Sequence, residues 1–76
     1  MSELVKILND IRPGQDYVGA EDFFAQGVLD SIDLTSLVAA LESRYNVFVD
    51  IDEIVPANLR NIGAIEAFLA RKGVKV

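Results

Sequence analysis

An all-α fold is what this sequence predicts: a small antiparallel four-helix bundle, with three main helices and one short one. Three observations carry that expectation. Apolar residues recur at helical spacing in three separate stretches. Residues that start or stop helices stand at the edges of those stretches. The one stretch that could read as a strand, Val47-Phe48-Val49-Asp50-Ile51-Asp52, has no second strand to pair with. The 76 residues make a single domain, 1–76, the reasonable count.

Ser2 is placed to cap a first helix over about residues 2–11. Leu4, Ile7, Leu8 and Ile11 give it one apolar face, and Pro13-Gly14 ends it. Residues 12–30 form a long connection without a sustained period. Tyr17, Val18, Phe23, Phe24, Val28 and Leu29 are expected to pin it to the core, with a helical turn near Glu21–Ala25. A second helix is expected over about 31–46, with Leu34, Leu37, Val38, Leu41 and Tyr45 facing inward. Residues 47–52 read as an extended connection with buried anchors. Ile54, Val55 and Leu59 suggest a short third helix with Pro56 in its first turn, where a missing N–H does no harm. Asn61 can cap a last helix whose inner stripe is Ile62, Ile65, Phe68 and Leu69. Arg71 and Lys72 complement its dipole, Gly73 stops it, and residues 74–76 are expected to fray.

Composition narrows the function classes. A chain this short buries a modest share of its surface, and with no cysteine it has no disulfide to help. A hydrophobic fraction of 51% compensates. No apolar run approaches a membrane span, and the N-terminus lacks a signal peptide's basic start, so a cytoplasmic protein without membrane insertion is expected. The net charge of −5 argues against nucleic acid and suits partners with basic surfaces. With neither His nor Cys, Ser-His-Asp and Cys-His catalysis and ordinary zinc or haem sites are excluded. Asp50, Asp52 and Glu53 lack the loop pattern of a calcium site, and no glycine-rich phosphate loop is present. No catalytic residues and no metal are assigned, and an autonomous enzyme is not expected.

The informative stretch is Gly27-Val28-Leu29-Asp30-Ser31-Ile32-Asp33-Leu34. A loop ends and a helix begins there, since Asp30 and Ser31 are both good N-cap residues. For an isolated Asp-Ser the ordinary reading is a cap and nothing more. The hydroxyl of Ser31 has no histidine to activate it, so alone it is a poor nucleophile. It can still accept a group installed by another enzyme, and a phosphodiester there would meet the positive end of the helix dipole and its N–H groups.

The run from Asp30 to Tyr45 resembles the attachment site and second helix of acyl and peptidyl carrier proteins. Gly27-Val28-Leu29-Asp30-Ser31 is similar to the version in discrete, stand-alone carriers. Val47 to Asp50 is similar to the family's segment after its second helix, and Ile54-Val55-Pro56-Ala57-Asn58-Leu59-Arg60-Asn61-Ile62 to its short third helix and the cap of its fourth. The likeness covers about residues 23–70. It implies that Ser31 carries 4′-phosphopantetheine and that Asp30 helps a phosphopantetheinyl transferase position metal and serine. It also implies an acyl or aminoacyl cargo, held as a thioester on the arm's thiol and delivered to enzymes of lipid, polyketide or peptide-type biosynthesis. An acyl- or aminoacyl-loading ligase or synthase and a downstream acyltransferase are the implied partners, and a monomer is expected. There are departures. Fatty-acid carriers usually have an acid where this chain has Ser36 and methionine where it has Ala39, which puts service in fatty acid biosynthesis in doubt. The Gly-Val-Leu-Asp-Ser and Val-Pro-Ala-Asn-Leu segments are more like carriers fed by AMP-forming ligases. The other function class in play is a small acidic helical interaction module without a prosthetic group.

Spacing on the second helix also suggests how partners would dock. Ser31, Thr35, Ala39 and Glu42 or Ser43 succeed one another on one outer stripe. Ile32 has no inward place and is expected as an apolar anchor, with Ser36 and Ala39 as recognition positions. Asp33 and Glu42 are expected as rim charges for basic partner residues.

Overall fold

In the computed structural model, which describes residues 3–74, the apolar stripes converge on one core. The elements are α1 (Glu3–Ile11), α2 (Ser31–Tyr45), a 3₁₀ turn (Ile51–Glu53), α3 (Pro56–Leu59) and α4 (Ile62–Arg71). No strand forms among the described residues, and the all-helical expectation holds. The expected cap Ser2 and the expected fraying of residues 75 and 76 lie outside the described residues.

Leu4 and Leu8 of α1, Leu37 and Leu41 of α2, and Ile65, Phe68 and Leu69 of α4 are buried together. Leu59, from the single turn of α3, joins them. Ion pairs at both ends show that α1 and α2 run antiparallel. Arg44, late in α2, pairs with Glu3 at the start of α1, and Arg12, just past α1, pairs with Asp30 and Asp33 at the start of α2. Pro56 is at the head of α3, and Asn61 caps α4 by accepting the Ala64 N–H at 2.7 Å.

The long connection is built rather than loose. Asp22 accepts the N–H groups of Phe24 and Ala25 at 3.0 Å, and the Gln26 N–H reaches the Asp22 carbonyl at 3.0 Å. That is the expected single helical turn. It closes as a Schellman motif: Val28 N–H to Phe23 carbonyl at 2.8 Å, and Gly27 N–H to Phe24 carbonyl at 3.3 Å. Gly27 takes the left-handed conformation, φ 73°, which the motif requires. This turn aims the chain into the cap of α2. A Cβ at Gly27 would meet nothing within 4 Å, so the cost of a side chain there is backbone strain alone. Gly27→Ala is expected to destabilise the domain by about 1 kcal/mol, several degrees of melting temperature in a chain of this size. An unchanged thermal melt would contradict a left-handed residue at this position.

Several expected anchors face water instead. Val18 is exposed beside a turn in which Asp16 accepts the Gly19 N–H. Phe48 and Ile51 are also exposed, while Val47 and Val49 of the same segment pack inward. Val74 was expected to fray. It packs against the core, and its N–H bonds the Leu69 carbonyl at 2.9 Å in a second Schellman motif, with Gly73 at φ 86°.

Candidate functional site: the first turn of the second helix

Asp30 ends the loop with extended backbone, φ −118°, and begins the helix with its side chain. Its Oδ1 accepts the N–H groups of Ile32 and Asp33, both at 3.0 Å. Asp33 returns the bond: its Oδ2 accepts the Asp30 N–H at 3.1 Å. This is a capping box, here closed by an aspartate three residues on.

A cation locks the box from behind. Arg12 donates to Asp33 Oδ2 through Nε at 2.9 Å, and its Nη2 lies 2.8 Å from the same oxygen. The same Nη2 makes a looser contact with Asp30 Oδ2, at 3.5 Å. Arg12 is itself held, since the hydroxyl of Tyr17 donates to its carbonyl. Tyr17 is buried and meets Phe23 edge-on, with ring centroids 5.4 Å apart. The Asp33 N–H first, then the charge of Arg12 and the Ile32 N–H, hold the Asp30 carboxyl below its ordinary range. Arg12 is correspondingly pushed up, chiefly by its hydrogen bond to Asp33. Burial pushes the Tyr17 phenol up.

On this frame Ser31 is exposed. Among the described residues its hydroxyl makes no hydrogen bond, so the group is free and accessible at a rigid position. Ile32 beside it is 77% exposed. Thr35, Ser36, Ala39 and Ser43 continue an exposed face of small residues along α2. Thr35 leans back toward the Ser31 carbonyl, Oγ1 to O at 3.4 Å.

Two expected rim charges are elsewhere. Asp33 is 8% exposed and fully engaged by Arg12 and the Asp30 N–H, so it cannot serve as a surface charge. Glu42 is half-buried, and its Oε2 accepts the Val49 N–H at 3.0 Å, tying down the segment after α2. The amides expected to favour an anion at Ser31 are occupied as well: Ile32 and Asp33 spend theirs on Asp30. What remains for an attached anion is the Ser31 N–H, the helix dipole and open solvent. Arg12 escaped sequence reading, and Tyr17 was expected as a core anchor but not as the holder of Arg12. The available signal was a lone arginine just before Pro13, in a chain with two acids flanking Ser31, but no spacing rule links residues so far apart.

The fold and site together define a helical domain with an exposed serine hydroxyl on a rigidly framed helix start. The family model for the phosphopantetheine attachment site matches residues 2–69. The chain belongs to that family, which is the family of acyl and peptidyl carrier proteins. Its domain is the site of covalent 4′-phosphopantetheine attachment, and its members interact with phosphopantetheinyl transferases and biosynthetic enzymes. Compared with the curated proteins and with the solved structures, the chain finds no significant match. The residues fit the group: an exposed hydroxyl without a competing partner is what a bulky phosphodiester needs. No helix among the described residues is long and apolar enough to cross a membrane.

Proposed function

We propose that this protein is an acyl or aminoacyl carrier, with Ser31 as the attachment point. The observation that carries the reading is the exposed Ser31 hydroxyl on a doubly locked helix start. Bound there, the arm supplies a terminal thiol that holds the cargo as a thioester. The chain's own residues do the rest. Asp30 and Asp33 fix the height and direction of Ser31, and Asp30 keeps its loosely held Oδ2 for the transferase. Ile32 is the apolar anchor for partner enzymes. Thr35, Ser36 and Ala39 let a partner approach the helix backbone closely. Loading by an AMP-forming ligase is favoured over service in fatty acid biosynthesis, since Ser36 and Ala39 stand where an acid and a methionine are usual there. We place the protein in the cytoplasm as a monomer that hands its cargo to a downstream acyltransferase.

The test uses arm-bearing protein, an AMP-forming ligase, ATP and a panel of carboxylic and amino acids. Intact mass should show a cargo that hydroxylamine removes, as a thioester requires. Ala39→Glu should melt like the wild type, because glutamate is a good helix former at an exposed position. It and Ile32→Ala should each slow loading by about tenfold, the effect of losing a modest contact at the centre of an interface. Wild-type loading rates in both variants would mean that partners dock away from this face. A chain that takes no arm would favour the interaction module instead, and an arm that no ligase charges would contradict loading by an AMP-forming ligase.

A further inference from the structure

Among the described residues, Arg12 is the basic residue that pairs with the two carboxylates flanking Ser31. Its guanidinium is spent unevenly. Two of its nitrogens hold Asp33 Oδ2 at 2.9 and 2.8 Å, and only one reaches Asp30, at 3.5 Å. Asp33 is the one charged residue buried among those described, and a carboxylate in that position needs a partner of this kind. Asp30 differs: its side chain remains 58% exposed, and Oδ1 is already fixed by two backbone N–H groups. Its Oδ2 is held only by the 3.5 Å contact with Arg12, long enough to give way.

Helical geometry sets how Arg12 can act. Asp30 and Asp33, three residues apart, share a face of α2, whereas Ser31 leaves the helix about 100° further round from Asp30. Arg12 lies on the face of the two carboxylates, so its influence on the serine passes through them. The chain of contacts is continuous: buried Tyr17 holds the Arg12 carbonyl, the Arg12 guanidinium holds Asp33, Asp33 holds the Asp30 N–H, and Asp30 precedes Ser31.

We propose that Arg12 is a positioning residue for the modification of Ser31, acting through Asp33 to hold the first turn of α2 in one arrangement while leaving Asp30 Oδ2 available to the transferase. This role rests on the reading of Ser31 as the attachment point. Without Arg12, buried Asp33 loses its counter-charge and turns toward water. The capping box then opens at the Asp30 N–H, and the turn that presents Ser31 frays. The end of α1 is thereby part of the substrate that a transferase reads, although it carries no modified residue.

The experiment measures kcat/KM for arm transfer from coenzyme A, with a phosphopantetheinyl transferase and Mg²⁺, well below every variant's melting temperature. Arg12→Gln and Asp33→Asn should each lower kcat/KM by about tenfold, a typical consequence of misplacing a reacting group. The double variant should lose little beyond the worse single one, since both break one linkage. Arg12→Lys keeps the charge but not the fork and should fall between wild type and Arg12→Gln. Lys72→Gln, which breaks the remote Lys72–Glu53 pair, should melt lower yet accept the arm at the wild-type rate. Wild-type kcat/KM in Arg12→Gln, additive losses in the double variant, or an equal fall in Lys72→Gln would each overturn the role of Arg12. If Arg12→Gln does not fold, Arg12→Lys decides, and a wild-type rate there overturns the proposal. A wild-type chain that takes no arm at Ser31 overturns the carrier reading and this role together. A modified wild type with indifferent variants overturns only the role of Arg12.

Discussion

Ser31→Ala is expected to keep the fold and to lose all modification by transferase and coenzyme A. The fold survives because Ser31 does not cap α2: Asp30 accepts both free amides, and Asp33 closes the box. The helix start therefore loses no hydrogen bond, and alanine is the best helix former at the position it takes over. The loss of modification is complete because the reaction needs a nucleophilic oxygen at that place. Thr35 and Ser36 are also exposed hydroxyls, but they lie a turn away and lack the Asp30 frame. Circular dichroism should match the wild type, while intact mass shows no added arm. Continued modification of Ser31→Ala would sink the assignment.

Leu37→Ala and Leu41→Ala are expected to destabilise the domain by about 2–5 kcal/mol each, from lost transfer energy and the cavity left behind. Both side chains are fully buried, on the face of α2 that joins the core shared with α1 and α4. Stabilities of small domains start at about 5 kcal/mol, so either change removes a large share of the total. The double variant is expected to be largely unfolded at room temperature. A melting temperature unchanged by both substitutions would mean that α2 packs on another face. The same helix thus divides its work: Leu37 and Leu41 hold it in the bundle, and the opposite side presents Ser31, Ile32 and Ala39.

What could be read in advance follows from the range of the interactions. Helical period and capping are local, so Leu4, Ile7 and Leu8 of α1, Leu37 and Leu41 of α2, and the Asn61 cap of α4 were legible. The helix start at Ser31 was legible for the same reason. Asp33 was misread because the capping box supplies only one of its bonds. The other comes from Arg12, 21 residues away, across a connection whose path no local rule gives. The bond from the Val49 amide to Glu42 was hidden likewise, since it comes from a later segment. Phe48 and Ile51 were expected inside because apolar residues are usually buried. The segment turns Val47 and Val49 inward at alternate positions, which leaves Phe48 between them outside, and the 3₁₀ turn that starts at Ile51 leaves that side chain in water. The exposure of Ser31 could be anticipated, but the lock behind it could not.

The most direct test is localisation of the arm. Wild-type protein is incubated with a phosphopantetheinyl transferase, coenzyme A and Mg²⁺, beside a carrier protein known to be modified under the same conditions. It is then digested, and the peptides are sequenced by fragmentation in a mass spectrometer. A phosphopantetheine on Ser31, and on no other residue, is the predicted result. An arm on Thr35, Ser36 or any other residue, or no arm while the control carrier is fully converted, would contradict the account.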